Sequence, residues 1–273
     1  MTAEAEAPLL VEDDGHLRIL RLNRPEAKNA LNGALITGIS RELRAAAEDD
    51  SVRAVVITGN GTAFCAGLDL AAAADVSTAP ASEGTGRSEG SGYAAADNMA
   101  MLARVTCTKP IIAAVNGAAV GIGVSLATAA DIRIASPAAR FHPGYARVGT
   151  SPDGGGTWTV TQAVGYERAL RFFLESRMVN AGEALAIGLV SEVVDSPEEL
   201  MDRAVAYGQR LCSLPPIAVR QTKQLVGRSV AVADLAQHLD DEVHAALAAL
   251  SSADGRRAIE AYLTGQPATY TGT

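Results

Sequence analysis

Two glycine-containing segments of the chain could present main-chain N–H groups to a ligand. AFCAGLDL at residues 63–70 follows a short apolar run at 54–59, and NGAAVGIG at 116–123 follows a second apolar run at 110–115. Small residues let a ligand approach the backbone, and a helix beginning near Gly121 directs free N–H groups and its positive dipole end outward. Side by side, the two segments would bind one oxygen that gains negative charge, as an oxyanion hole does.

Two other kinds of site are weighed against this hypothesis. Taken separately, each segment is more often an ordinary tight turn, and neither has the GxGxxG or GxxxxGK[ST] pattern of a nucleotide-phosphate loop. The cysteines, Cys65, Cys107 and Cys212, form no CxxC pair and no metal-ligand spacing. We therefore expect no metal site, a reducing compartment, and a Cys65 that is a small packed residue and not a nucleophile.

Strands and helices that could position these segments alternate along the chain. Continuous or alternating apolar residues predict strands, and apolar residues at helical spacing predict helices. The predicted strands are 16–23, 54–59, 110–117 and 131–136, and the predicted helices are 29–47 and 121–130. Such alternation indicates an α/β fold.

Two regions depart from this alternation. Residues 77–92 are rich in Gly, Ser and Ala, which predicts a surface loop. From about Pro216 onward no strand pattern occurs, and Asp234 could cap a helix with an apolar stripe that either covers the core or joins subunits. The stripe consists of Leu235, Leu239, Val243, Leu247 and Leu250.

Composition and charge exclude several classes of protein. The chain has 273 residues, is 48% hydrophobic and carries a formal net charge of −8, so a large globular domain is expected and a general nucleic-acid binder is not. The first residues are acidic and lack the pattern of a signal peptide, and no apolar stretch reaches the length of a membrane span. We expect a soluble cytoplasmic protein with no membrane or nucleic-acid partner.

Five motifs in order resemble the enoyl-CoA hydratase/isomerase (crotonase) superfamily. They are NRPEAKNAL at 23–31, AFCAGLDL at 63–70, KPIIAAVNGAAVGIGVSLA at 109–127, GTSPDGGGTW at 149–158 and AGEALAIGLVSEVV at 181–194. The resemblance implies an α/β spiral of ββα units with a helical C-terminal trimerisation region. It divides the chain into a core at 1–205, which binds and converts acyl-CoA, and an oligomerisation region at 206–273, and it implies a homotrimer or homohexamer.

The same resemblance implies the ligand and the residues that bind it. The substrate is an acyl-CoA thioester, so coenzyme A enters as part of the substrate and no separate cofactor is expected. The oxyanion-hole N–H groups fall on Leu68 and on Ile122, where the family usually has glycine. The substrate-binding positions are Ala27, Lys28, Ala66, Asp69, Leu70, Gly121, Tyr145 and Val148.

Acidic residues decide which reaction the resemblance implies. Hydratases of the family use two glutamates, and their positions fall here on Ser125 and Tyr145, so hydratase activity is not expected. Asp153 falls where double-bond isomerases of the family place an Asp or Glu. One carboxylate can take a proton from one carbon and return it to another while the oxyanion hole holds the enolate. We therefore predict an enoyl-CoA isomerase with Asp153, Leu68 and Ile122 as catalytic residues.

Alternatives to this isomerase stay open. Asp153 precedes the helix-like TWTVTQAV, so it could act only as a helix cap. The chain could also bind acyl-CoA without converting it. A hydrolytic dehalogenase would need a histidine on an earlier helix, but no histidine lies between Leu17 and Phe141. His142 is expected to be a structural residue, and the sequence assigns no role to Asp97.

Overall fold

A computed structural model of the chain shows two sheets surrounded by helices. It describes residues 7–69, 99–214, 216–229, 243–244, 247 and 250–268. The strands are β1 (Leu9–Asp14), β2 (Leu17–Leu22), β3 (Ala54–Gly59), β4 (Ala63–Cys65), β5 (Ile111–Val115), β6 (Ala118–Val120), β7 (Ile132–Ala135), β8 (Arg140–His142), β9 (Val179–Asn180) and β10 (Glu192–Val193). The α/β prediction is confirmed.

Helices connect and cover these strands. Those described are α1 (Gly33–Glu48), α2 (Met99–Met101), α3 (Ile122–Ala129), α4 (Gly156–Val164), α5 (Tyr166–Glu175), α6 (Ala181–Ala186), α7 (Glu199–Cys212), α8 (Pro216–Ser229) and α9 (Ala253–Thr264). A π-helical turn at Leu102–Thr106 continues α2, and 3₁₀ turns occur at Pro25–Ala27 and Tyr145–Val148. No described helix is long and apolar enough to cross a membrane.

The larger sheet has six strands in the order β1-β2-β3-β5-β7-β10. Its central strands, β2, β3, β5 and β7, are parallel, and every residue of β3 and β5 is buried. Both faces of a parallel sheet are covered, so its strands are continuously apolar, which is why the sequence revealed them. β1 is antiparallel to β2 and mostly exposed, and its sequence LLVEDD carried no apolar alternation that would have predicted a strand.

The smaller sheet has four short strands in the order β4-β6-β8-β9. Parallel pairing joins β4 to β6 through Ala63↔Ala118 and Cys65↔Ala119. β4 and β6 lie inside the two glycine-containing segments, so each segment is a short strand followed by a turn, whereas the sequence predicted turns only. These strands were not predicted because three residues are too few to show a period of two. Their pairing places the two turns at one edge of the sheet.

Helix α1 begins four residues later than the sequence predicted. The side chain of Asn32 caps it by accepting a hydrogen bond from the N–H of Leu35. Asn29 has a φ of 57° and lies outside the helix, because its side chain is buried and bonded to other segments. The apolar face that predicted the helix is buried, including Leu35, Ile39 and Leu43.

The C-terminal region is helical wherever it is described. Helix α7 crosses residue 205 and covers the large sheet through Leu200 and Ala204, so the division at 205/206 falls within a helix. Val243, Leu247 and Leu250 are helical, whereas Asp234, Leu235 and Leu239 lie outside the described residues. The division of the chain and its trimerisation stay predictions.

A lysine on α8 attaches this helix to the core. The Lys223 ammonium group lies 2.8 Å from Oδ2 of Asp131 and donates to the carbonyl oxygens of Ala103 and Lys109 at 2.7 and 2.8 Å. Its side chain is only 9% exposed. One buried cation therefore joins α8 to the π-helical turn and to the segments that flank β5 and β7.

A first prediction concerns Gly117, which lies at the junction of the two sheets. A Cβ atom at Gly117 would lie 2.0 Å from the carbonyl oxygen of Thr62, so Gly117→Ala forces two backbones apart. We expect a loss of about 2 kcal/mol or more in the free energy of unfolding, measured by urea denaturation. Gly33→Ala is the control, because a Cβ there meets nothing within 4 Å, and it should change stability by less than about 1 kcal/mol. Equal effects would contradict the close approach.

Candidate active site

The two turns that follow β4 and β6 form the floor of the candidate site. Leu68 forms an isolated parallel bridge with Leu31. In this bridge, Leu31 N–H donates to Gly67 O at 2.7 Å and Asp69 N–H donates to Leu31 O at 2.9 Å. The N–H of Leu68 points to the opposite side of the strand from these bonds. Within the described residues, no backbone hydrogen bond uses it.

The second N–H comes from the first residue of α3. Gly121, with a φ of 53°, precedes this helix, donates to His142 O at 2.9 Å and accepts from Val124 N–H at 2.8 Å. Ile122 follows as the first helical residue, where an N–H has no partner inside the helix. No backbone hydrogen bond between described residues uses the Ile122 N–H. The site edge thus has two N–H groups with no backbone partner in the described part of the chain.

Glycine allows the two turns to touch backbone to backbone. A Cβ at Gly123 would lie 2.2 Å from the Cys65 carbonyl oxygen, and a Cβ at Gly67, whose φ is 102°, would lie 3.0 Å from the Val120 carbonyl oxygen. An alanine at position 123 would separate the turns. These glycines therefore fix how the Leu68 and Ile122 segments meet.

A wall of the site is built on the turn at residues 25–29. Lys28 and Asn29 both have positive φ, at 51° and 57°. The side chain of Asn29 stabilises this conformation, because it accepts from Arg24 N–H at 2.9 Å and donates to the Ala63 carbonyl oxygen at 2.8 Å. Ala66 N–H donates to the Lys28 carbonyl oxygen at 2.9 Å. This brings Lys28, with its exposed side chain, next to the Ala66 segment.

Asp69 stabilises the same wall through an ion pair with Arg24. Its Oδ2 lies 2.9 Å from the Arg24 guanidinium, which also donates to the Ala30 carbonyl oxygen at 2.6 Å. The candidate coenzyme A positions Ala27, Lys28, Ala66 and Asp69 are therefore neighbours in the fold, and Leu70 lies outside the described residues. The roles of Arg24 and Asn29 could not be predicted from the sequence, because Asp69 and Ala63, to which they bond, are 45 and 34 positions away.

The side chain of Ile122, which replaces the usual glycine, packs against a second glycine. A Cβ at Gly154 would lie 2.9 Å from Cγ1 of Ile122 and 3.0 Å from Cβ of Ser125. Gly154 has a φ of 66° and directly follows Asp153. The bulk added at position 122 is thus accommodated by the absence of a side chain at position 154.

Three oxygen-bearing side chains meet beside the first turn of α3. Ser125 Oγ donates to the Asp153 carbonyl oxygen at 2.8 Å, Tyr145 OH donates to Asp153 Oδ1 at 3.1 Å, and the two hydroxyl oxygens lie 3.1 Å apart. Ser125 and Tyr145 are buried and Asp153 is half-buried. The carboxylate is therefore held from within the protein at the edge that carries Ile122.

The turn at 145–149 links this cluster to two helices. Tyr145 packs against Phe173 of α5 with ring centroids 6.3 Å apart, and half-buried Val148 ends the same 3₁₀ turn. A Cβ at the next residue, Gly149, would lie 2.6 Å from Cβ of Ala258 and 3.1 Å from Cα of Gly255. Helix α9 of the same chain thus touches the turn that carries Tyr145.

His142 and the cysteines have structural surroundings. His142 Nε2 lies 3.0 Å from the Ser176 carbonyl oxygen, and burial, followed by the charge of Arg147, lowers the pKa of His142. Burial raises the pKa of the Cys65 thiol to about 12. Asp97 and residues 77–92 lie outside the described residues. Among the residues described, no three His, Cys, Asp or Glu side chains are grouped as a metal site requires.

Sequence comparison identifies the family of this chain. A sequence model described as Enoyl-CoA hydratase/isomerase matches residues 13–273. The chain belongs to the enoyl-CoA hydratase/isomerase family. The family's fold is also found by structure: an enoyl-CoA hydratase/isomerase from Pseudoalteromonas atlantica superposes with a TM-score of 0.85 at 29% identity, covering 97% of this chain and 100% of that one.

Curated relatives within the family have different names. The short-chain-enoyl-CoA hydratase of Clostridium acetobutylicum is 34% identical over 223 residues, which cover 81% of this chain and 82% of the relative. The 1,2-epoxyphenylacetyl-CoA isomerase of Escherichia coli is 34% identical over 253 residues, covering 93% and 94%. The relatives described are thus named for two different reactions, one a hydratase and one an isomerase.

Thiol reactivity tests the structural role of the cysteines. Burial raises the pKa of Cys65 to about 12 and also raises the pKa of Cys107 and Cys212, which lowers the thiolate fraction of each below that of a free cysteine. We expect iodoacetamide to leave the native protein unlabelled during a time that fully labels the urea-denatured protein, measured by intact mass. Rapid native labelling that Cys65→Ser removes would show instead that Cys65 is a reactive thiolate.

Proposed function

We propose that this enzyme moves a carbon–carbon double bond in an acyl-CoA thioester, with Asp153 as the proton shuttle. The observation that carries the proposal is the cluster of Ser125, Tyr145 and Asp153, in which Asp153 is the carboxylate. Asp153 is bound through its main chain to helix α3, whose first residue, Ile122, offers the site's second N–H. A base and an oxyanion site are thus attached to the same helix.

The proposed reaction needs one base and one anion-binding site. For a 3-enoyl thioester, Asp153 takes a proton from C2, the C2–H electron pair forms a C1=C2 double bond, and the carbonyl electron pair moves to the thioester oxygen, which gives a dienolate conjugated with C3=C4. The dienolate oxygen accepts hydrogen bonds from Leu68 and Ile122 N–H, which stabilise its negative charge. Asp153 then returns the proton to C4, giving the conjugated 2-enoyl thioester. No atom is gained or lost, and the aspartate ends in its starting state.

Hydration requires groups that the cluster does not offer. Activating a water and delivering a proton to the α-carbon use two carboxyl groups in the hydratases that this family includes, and Ser125 and Tyr145 fall at these positions. Both side chains are buried, and serine and tyrosine hydroxyls keep their protons near neutral pH. Each donates to Asp153, so neither is a water-activating base.

Named relatives support the class of substrate. The two curated relatives described above are named for CoA thioesters, and the Escherichia coli one, which matches 93% of this chain, is named an isomerase. The proposed substrate is therefore an acyl-CoA thioester. Its nucleotide part would lie along the wall of Ala27, Lys28, Ala66 and Asp69, and its acyl part beside Gly121, Tyr145 and Val148.

The proposal extends to assembly as a homotrimer or homohexamer through residues 206–273. Large apolar side chains are exposed on the described C-terminal helices, with Ile217 and Leu225 of α8 at 62% and 64% and Leu263 of α9 at 67%. Large apolar side chains exposed in this way are expected where another protein chain covers them. A second copy of the chain would bury them.

The carboxylate of Asp153 is tested by substitution. With 3-enoyl-CoA, the wild type should produce the ultraviolet absorbance of the conjugated product, and Asp153→Asn should lower the rate by about 100-fold or more, since a positioned acid–base group gives about 10²–10⁴-fold. Coenzyme A affinity, measured by calorimetry, should stay within about twofold, because Asn preserves the volume of the side chain.

The control is Asp202→Asn, which alters an exposed carboxylate on α7 and should leave the rate unchanged. Equal rates for wild type and Asp153→Asn would remove Asp153 from the mechanism. Tight coenzyme A binding with no turnover of 3-enoyl, dienoyl or 2-enoyl thioesters by the wild type would instead favour a non-catalytic acyl-CoA-binding protein.

A further inference from the structure

Ser125 and Tyr145 hold Asp153 at two different points. Ser125 donates to its main-chain oxygen at 2.8 Å, and Tyr145 donates to its side-chain Oδ1 at 3.1 Å. A shuttle must take and return a proton with the same geometry, so a fixed carboxylate is an advantage.

The contact between Ser125 and Tyr145 closes the cluster. Their oxygens lie 3.1 Å apart, so three short contacts join the two hydroxyls and the aspartate. When Asp153 is ionised, the Tyr145 hydroxyl proton serves Oδ1 and the Ser125 hydroxyl proton serves the main-chain oxygen. When its Oδ1 is protonated, a third proton allows a closed ring, from the carboxyl to Tyr145, from Tyr145 to Ser125, and from Ser125 to the Asp153 main chain. The cluster is therefore compatible with both states of the shuttle.

Space at position 125 is limited by the turn that carries Asp153. A Cβ at Gly156 would lie 2.4 Å from Ser125 Oγ, and a Cβ at Gly154 would lie 3.0 Å from Ser125 Cβ. A glutamate at 125 adds three heavy atoms where the glycine turn already touches the side chain. The small residue at 125 and the glycine turn after Asp153 thus depend on each other.

Building on the proposed isomerase function, we propose that Ser125 and Tyr145 are positioning residues that orient the Asp153 carboxylate and that also exclude hydratase chemistry. At the two positions where hydratases of the family have glutamates, this chain has two hydroxyls that serve one aspartate. Neither needs to touch the reacting carbons. Tyr145 acts on the side chain, and Ser125 acts on the main chain and keeps space for the glycine turn.

The charged groups around Asp153 are few in the described part of the chain. Helices α3 and α4, which flank it, carry no ionisable side chain. The 3₁₀ turn of Tyr145 adds exposed Arg147, and α9 adds Asp254 and Arg257 beside Gly149. Tyr145 donates directly to the carboxylate, whereas these charged residues act from a longer distance. Removing the Tyr145 hydroxyl should therefore change the titration of Asp153 more than removing one of these charges.

The decisive variant is Tyr145→Phe, which removes one hydroxyl and keeps the ring that packs on Phe173. We expect kcat with 3-enoyl-CoA to fall about 10- to 100-fold with KM within about twofold. The titration midpoint of the Asp153 ¹³Cγ NMR signal, assigned with Asp153→Asn, should move to higher pH by about one unit in the unliganded protein. Tyr166→Phe on exposed α5 is the matched control and should change neither quantity.

The two readouts separate this inference from the proposed function. An unchanged kcat and an unchanged midpoint in Tyr145→Phe would overturn the positioning role. If the wild type has no isomerase activity, the proposed function fails, and the midpoint by itself decides whether Tyr145 orients the carboxylate.

Position 125 is tested in the same assays. Ser125→Ala should lower kcat about 10-fold without changing KM, because the main chain of Asp153 loses its donor. Ser125→Glu should lose isomerase activity without gaining hydration of 2-enoyl-CoA, and thermal denaturation should show that it is less stable than Ser125→Ala. Efficient hydration by Ser125→Glu would overturn the steric part of the proposal.

Discussion

Direct contact between two backbone turns is the constraint on which the candidate site depends. The carbonyl oxygen of Cys65 occupies the space beside Gly123, and that of Val120 lies beside Gly67. Parallel pairing of β4 and β6 brings the turns to one edge, and the missing side chains let them close. Backbone groups placed in this way need no rearrangement when charge develops on a ligand, which is the physical basis of electrostatic catalysis by fixed dipoles.

The rest of the site is a set of paired adjustments around this contact. Ile122 has a side chain where the family usually has glycine, and the absence of a side chain at Gly154 leaves room for it. Ser125 is short, and the turn at 154–156 closes over it. Such compensation is expected in a densely packed interior, where one added methylene must be balanced by a neighbour. The proposed choice of reaction therefore depends on packing as well as on the acidic residue.

Much of the fold was predictable from the sequence because burial leaves a clear pattern. Strand β3 agrees residue for residue with the apolar run at 54–59, and the predicted helix at 121–130 differs from α3 by one residue at each end. The three-residue strands β4, β6 and β8 were not predicted, since they are too short for periodicity. The exposed strand β1 was not predicted because its solvent-facing acidic residues resemble a terminal segment.

The residues of the candidate site were predicted only through a resemblance to a family, and their roles stay predictions. Composition and spacing suggested two turns with free N–H groups, and motif order placed Leu68, Ile122 and Asp153. The contacts of Tyr145 and Ser125 with Asp153 join residues 8 and 28 positions apart, so they depend on the exact path of a 3₁₀ turn and a glycine turn. No local propensity specifies such a path, which is set by long-range packing.

Gly149 packs closely against Gly255 and Ala258, so substitutions in these two distant parts of the chain depend on each other. Position 149 has positive φ and no room for a methyl group, while α9 presents its smallest side chains there. A substitution on either side would be tolerated only after a matching change on the other. A chimera that takes α9 from a relative therefore also changes the packing of the turn that carries Tyr145, and it would need a matching residue at position 149.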